Sequence, residues 1–234
     1  AGRPGVAFDF LVENQWWPGF TFTEPELTRR LLDGIRAERK GIMLDIGHLM
    51  NCDTSLRTLE EGADYVHRML DRHGGLCRYI RGIHLHCSLS GEYVRAHTGF
   101  LPPGLPLDYL KRYGFGYRHI LRIDTHQPWT SPAICEVVER IGPDYLVHEL
   151  SAPDRGAREE AIHIQNRASD VDKAAAHPFG CAAAFYQEKT PQPKGYGALA
   201  AGEGFEPPVQ IVKTIVHNGA YSSLAFLLAF SPLR

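Results

Sequence analysis

The feature that most restricts how this chain can fold is a repeated unit. A short apolar run ends on an acidic residue or a histidine and is followed by a segment of helical period. Such runs lie at Val6 to Glu13, Gly41 to Ile46, Ile80 to His86, His119 to His126 and Tyr145 to Glu149. Their alternation with helical segments is the pattern of repeated βα units and a parallel sheet, which predicts an α/β fold with five strands.

The intervening segments read as helices with recognisable starts and stops. Thr23 can cap a helix opened by Glu24 and Pro25 that runs to about Glu38, with Leu27, Leu31, Leu32 and Ile35 as its apolar stripe. Asp53 or Thr54 can cap a second, carrying Leu56, Leu59, Ala63, Val66 and Leu70 and stopped by Gly74 and Gly75. A Pro- and Gly-rich excursion from Leu89 to Leu105 reads as a long functional loop, followed by a short helix near Leu107 to Tyr113. Ser131 and Pro132 open another helix with Ile134, Val137, Val138 and Ile141 on one face, and a last one spans about Arg155 to Asn166. From about Ala168 the βα period is lost among Ala, Gly and Pro clusters, so residues 168–234 are expected to form an irregular tail. Within it, Val209 to Val216 reads as a strand and Ser222 to Phe230 as a short helix.

Composition narrows the function classes. A formal charge of -2 gives no broad basic field for a phosphate backbone, which makes nucleic acid an unfavoured partner. The five cysteines are odd in number, scattered and without a CxxC pair, as expected of a reducing, cytoplasmic setting. No apolar run approaches the roughly 18 residues that a membrane helix needs. The expectation is a soluble protein with no membrane partner, with a homo-oligomer as an option.

The strand ends carry the chemistry. Residues two apart in a strand face the same side. Glu13 pairs with Leu11 against Phe10 and Val12, Asp45 with Met43 against Ile42 and Leu44, and His84 with His86 against Ile83 and Leu85. Likewise Asp124 pairs with His126 against Ile123, and Glu149 opposes Leu146 and His148. In a parallel barrel the outward face meets helices and must be apolar, while the C-terminal ends of the inner face open on the active site. Five strands ending this way would bring Glu13, Asp45, His48, His84, Asp124, His126 and Glu149 to one point. Such a crowd of carboxylates repels itself unless a cation is shared, so a divalent-metal site is expected. Mixed imidazole and carboxylate donors suit zinc or manganese, with cobalt, iron or magnesium as further options. His84 and His86 share a face, which leaves open which is the nearer ligand. Candidate substrate contacts are His86, Trp16 and Trp129; the aromatics just after strand ends, Trp17 and Phe20 among them, can equally be core. His67, His73, His97 and His163 are expected to be solvated, and His148 has the wrong parity for a ligand.

These motifs, VEN at Val12 to Asn14, LDIGH at Leu44 to His48, IHLHCS at Ile83 to Ser88, IDTHQPW at Ile123 to Trp129 and VHE at Val147 to Glu149, resemble the xylose isomerase-like TIM-barrel superfamily over about residues 6 to 166. That superfamily includes sugar and sugar-phosphate isomerases and epimerases as well as endonuclease IV. By this resemblance Glu13, Asp45, His84 and Glu149 would hold one metal, Glu13 and Glu149 would serve as acid and base, and His48 would contact substrate. The reaction would be proton transfer beside a carbonyl of a sugar or sugar phosphate. The alternative is phosphodiester hydrolysis, in which Asp124 and His126 match additional ligands of a three-zinc cluster. A whole barrel of this kind has eight strands in typically about 250 residues. Residues 1–167 are therefore expected to be the C-terminal part of an incomplete TIM-barrel-like fold, of about five βα units. The stretch Gly202 to Pro208 resembles the antisense translation of a transfer-RNA T arm, and the tail is expected to leave the native frame.

Overall fold

A computed structural model describes residues 9–99 and 104–169, together with the backbone of 210–217. Among them, β1 (Phe10–Glu13), β2 (Lys40–Asp45), β3 (Ile80–Leu85) and β4 (Tyr145–Ala152) form a curled parallel half-barrel in that order. The register sets Glu13 beside Met43, Asp45 beside His84 and His84 beside Val147, so the polar strand ends fall in one row. A fifth strand, β5 (Gln210–His217), runs antiparallel along the whole of β4, from Tyr145 opposite His217 to Ala152 opposite Gln210. The expected strand in the tail therefore exists, shifted by one residue. Helix Ser222 to Phe230, Gly202 to Pro208 and the start of the first predicted strand, Val6 to Phe8, lie outside the described residues.

Seven helices accompany the strands among the described residues: α1 (Pro25–Gly34), α2 (Ile46–Asn51), α3 (Leu59–His73), α4 (Gly91–His97), α5 (Tyr109–Ile123), α6 (Ala133–Ile141) and α7 (Arg155–Ser169). None is long and apolar enough to cross a membrane. The core lies where the outward strand residues Ile42, Leu44, Ile83 and Leu85 meet Val66 and Leu70 of α3 and Ile134, Val137 and Val138 of α6, all buried. Period two on the strands and period 3.6 on the helices thus converge on one apolar layer. On the other face Gly82 leaves space for the Met43 thioether; a Cβ there would come within 2.6 Å of its sulfur.

Helix boundaries differ from expectation where side chains intervene. α1 ends at Gly34, four residues early, because Ile35 turns extended and Lys40 Nζ donates to the Leu32 and Ile35 carbonyls at 2.6 and 2.9 Å. α3 begins at Leu59 behind a Thr58/Glu61 capping box. Asp53 instead accepts from Ser55 N, and the extra helix α2 starts on Asp45, whose side chain accepts from His48 N at 2.7 Å.

The larger correction concerns the predicted fourth strand, His119 to His126. Residues 119–123 are the last turns of α5. Leu110, Tyr113, Tyr117 and Ile120 recur at helical spacing and Asp108 caps the start by accepting from Lys111 N at 2.9 Å, so the helix carries through the segment. α5 has no buried residue; Tyr109 and Leu110 in its first turn are exposed, as is Leu107 just before it. The described parallel strands therefore number four where five were expected.

Candidate metal centre

Four carboxylates and four imidazoles, Glu13, Asp45, Asp124, Glu149, His48, His84, His86 and His126, meet at the C-terminal ends of the strands. All seven residues expected as ligands are present in the cluster. All but Glu149 fall into three overlapping groups whose ligand atoms lie within 4.8 Å of one another: Glu13 with Asp45 and His84; Asp45 with His48 and His86; His86 with Asp124 and His126.

β1, β2, β3 and β4 deliver Glu13, Asp45, His84 and Glu149 directly. His84 Nδ1 sits 2.9 Å from Glu149 Oε2, 3.3 Å from Asp45 Oδ2 and 3.4 Å from Glu13 Oε2. His48 rides on the first turn of α2. Its Nδ1 lies 2.8 Å from the Asn14 carbonyl, which can only accept, so Nδ1 carries the proton and Nε2 is turned to Asp124 Oδ2 at 3.1 Å. Asp124 and His126 arrive on the loop after α5. One antiparallel bridge, Cys87 to Gln127, replaces the expected strand pairing, and Ser151 N donates to His126 O at 3.0 Å. His126 has φ 48°, a left-handed conformation costly for a side-chain-bearing residue. Its Nδ1 donates to the Asp124 carbonyl at 3.0 Å, which leaves Nε2 facing Asp124 Oδ2 at 3.3 Å.

Charge in this cluster is balanced by protons on the imidazoles. Burial pushes the His48 imidazole down, but Asp45, Asp124 and Glu13 outweigh it and raise its pKa to about 9. His84 is raised well above the usual histidine value against the same burial penalty by Asp45, Glu13 and Glu149, and His126 is raised by Glu149, Asp124 and Asp45. Burial favours neutral carboxyls, yet His86, His48 and His84 hold Asp45 well below the usual range, and His126 and His84 do the same for Glu149.

A cation fits this donor set. Asp45 Oδ2, His84 Nδ1, both ring nitrogens of His86 and Asp124 Oδ1 are buried without a hydrogen-bond partner although they crowd together. Buried polar atoms are seldom left so, and atoms that converge without donor-to-acceptor alignment are arranged as ligands of a common centre. Imidazole mixed with carboxylate is the chemistry of a divalent transition ion.

The expected substrate contacts divide. Trp16 lies at the mouth, tilted over His48 at 4.5 Å between centroids, and Trp17 beside it is 49% exposed. Trp129 is 0% exposed and its indole N–H donates to the His86 carbonyl at 2.9 Å, so it belongs to the core and can wall no pocket. His86 is 0% exposed and sits among the ligand groups. His73, expected to be solvated, is buried, stacked on Phe22 at 3.8 Å and bonded to Thr28 Oγ1 and the Met69 carbonyl. His148 faces away as its parity requires; burial lowers its pKa to about 4, and its Nδ1 accepts from Gln165 Nε2 at 2.8 Å.

Two supporting residues escape the sequence patterns. Asn14 makes a two-way clamp on the Asp45 backbone, Nδ2 donating to its carbonyl at 3.0 Å and Oδ1 accepting from its N–H at 2.8 Å. Gln165 joins α7 to the Leu85 carbonyl, to His148 and to Trp129 N. Adjacency of Asn14 to a strand-terminal glutamate was the one available signal; Gln165 had none. Comparison with protein-family models, curated proteins and solved structures found no match.

Proposed function

We propose that this chain is the metal-bearing part of a xylose isomerase-like TIM barrel, and that it isomerises or epimerises a sugar or sugar phosphate by proton transfer beside a carbonyl. The observation that carries the reading is the placement of Glu13 and Glu149. From the outer members of the parallel set, β1 and β4, both reach His84 Nδ1, at 3.4 and 2.9 Å. Glu13, Asp45, His84 and Glu149 would hold zinc or manganese, which when bound supplies electrophilic stabilisation of negative charge on a substrate oxygen. Cobalt, iron and magnesium are the other candidates. Glu13, its side chain 29% exposed against 8% for Glu149, is the carboxylate open to an incoming substrate and would take the proton; the acid that gives one back would be Glu149 once it carries a proton of its own. Trp16 over His48 offers an apolar wall to a sugar ring.

A second reading, metal-dependent phosphodiester hydrolysis, is favoured by His48 and His126, whose Nε2 atoms flank the same Asp124 oxygen, an arrangement that a one-ion isomerase does not use. Solvent deuterium exchange into ketoses and ketose phosphates, run beside cleavage of abasic-site DNA with chelator-treated protein as blank, separates the two. Exchange at the carbon next to the carbonyl supports the first reading; cleavage without exchange replaces it with the second. A chain that takes up no divalent ion refutes both and leaves an inactive remnant.

A further inference from the structure

Helix α5 is turned inside out. With about 3.6 residues per turn, Tyr109, Leu110, Tyr113, Tyr117, Ile120 and Leu121 fall within an arc of about 120°, the stripe with which a surface helix ordinarily meets a core. Here the opposite side packs on the protein: Tyr93 of α4 has its hydroxyl 2.8 Å from His119 Nδ1 and its ring 4.2 Å from the Arg122 guanidinium. The apolar arc is left in water. Tyr109, Leu110, Tyr113 and Ile120 are 76, 70, 55 and 46% exposed, and Leu107 just before the helix is 92% exposed. Contiguous apolar surface of this kind marks a contact with something else.

We propose that α5 is a docking surface for an anionic lipid bilayer, lying in the headgroup layer with its apolar arc immersed. Charge decides among the occupants. α5 carries Lys111, Arg112, Arg118 and Arg122 and no acidic residue, in a chain whose formal charge is -2. The nearest acid, Asp108, is engaged as its cap. Lys111 and Arg118 border the apolar arc on one side, and Arg112, whose Nε donates to the Pro106 carbonyl at 2.9 Å, borders it on the other. From such positions long basic side chains reach anionic headgroups while their stems cover hydrocarbon. The tyrosines have the apolar body and polar tip that suit the boundary between acyl chains and water. A second copy is the poorer fit, because two α5 helices facing each other about a twofold axis would oppose cations that no acidic residue of the helix can pair. With 15 residues α5 is too short to cross a bilayer, which takes about 20, so the contact is with the surface. The expectation of no membrane partner rested on the lack of a spanning run and did not weigh a helix that lies flat.

Flotation of the full chain with vesicles of phosphatidylcholine, alone or mixed with phosphatidylserine, tests this, with binding followed as salt is raised. Binding to the mixed vesicles, none to the neutral ones, and release by salt are expected. The double variant Lys111→Gln, Arg118→Gln is expected to bind about 10- to 30-fold more weakly, and Leu110→Ser, Tyr113→Ser to lose binding. Both pairs lie on a helix with no buried residue, so their thermal melts should match the wild type, and each pair serves if the other fails to fold. No binding to the mixed vesicles, or equal binding to both kinds, overturns the proposal. Sedimentation as a dimer that Leu110→Ser, Tyr113→Ser returns to monomer also overturns it and gives the arc to a second copy. Binding of a single-stranded oligonucleotide without binding of vesicles overturns it in favour of nucleic acid. None of these outcomes bears on the metal centre.

Discussion

Asn14→Ala isolates how far the centre depends on a residue that ligates nothing. Asn14 is 0% exposed, and its carboxamide replaces the ladder partner that Asp45 would otherwise lack at the end of β1. The substitution strips the buried Asp45 N–H and C=O of their partners at 2.8 and 3.0 Å. Each stranded group costs about 1–3 kcal/mol, so the metal-free chain should lose about 2–6 kcal/mol in all. For a chain of this size that lowers Tm by about 4–24 °C. Asp45 also caps α2 and carries ligand oxygens, so metal affinity should fall by at least about tenfold, or about 1.4 kcal/mol. Thermal melts by circular dichroism and a metal titration read the two effects separately. Asn14→Asp keeps the acceptor for Asp45 N but removes the donor and adds a like charge, so it should recover little of either loss. A change below about 0.5 kcal/mol in Asn14→Ala, typical of an unremarkable surface substitution, would show that Asp45 holds its position unaided and would refute the clamp.

Metal uptake by the chelated protein at pH 7.5 should release protons, because Asp45, Glu13 and Glu149 outweigh burial and hold the His84 pKa well above the usual histidine value, and an imidazole of the proposed ligand set must give up a proton to bind. Calorimetric enthalpies that do not vary among buffers of different ionisation heat would contradict this. His148 should make the fold acid-sensitive. Its folded pKa of about 4 lies below the unfolded value of 6.5, so its contribution is whole above 6.5 and lost as pH falls toward 4, by about 3 kcal/mol. Urea midpoints between pH 7 and 4 check the slope, which should flatten in His148→Asn. Trp129→Ala should cost about 3–5 kcal/mol as a core deletion. Trp16→Ala should leave Tm within about 2 °C yet raise KM for substrate, and equal stability losses in the two would undo their assignment to core and mouth.

The parallel strands were legible where outward residues are continuous aliphatics and the run ends on a polar side chain. Ile42 and Leu44, then Ile83 and Leu85, leave one way to be buried, and the residues after them can only project at the strand ends. The segment at 119–126 was ambiguous because Leu121 and Ile123 alternate about Arg122 as a strand would, while the residues before them already repeat at helical spacing from a capped start. Local pattern cannot choose between these; continuity with α5 does. Asp124 and His126 nonetheless reach the site, because the bridge from Cys87 to Gln127 and the left-handed turn at His126 do what strand parity was expected to do. That they come to the cluster was readable, and their route was not.

What stayed hidden are the groups whose role exists only once distant segments meet. Asn14, Gln165 and Gly47 carry no periodicity and no ligand chemistry, yet they fix Asp45, the Trp129 loop and the His86 ring. Asp45 shows why such supports matter. One carboxylate starts α2 by accepting from His48 N, lies 3.3 Å from His84 Nδ1 through Oδ2 and stands 2.9 Å from His86 Nε2 through Oδ1. A residue with that many obligations cannot shift to suit one without disturbing the rest, so its backbone must be held from outside the ligand set, as Asn14 holds it. The Asp45 backbone is thus held by the residue just after Glu13, where the strand β1 has ended but a side chain still bonds to β2.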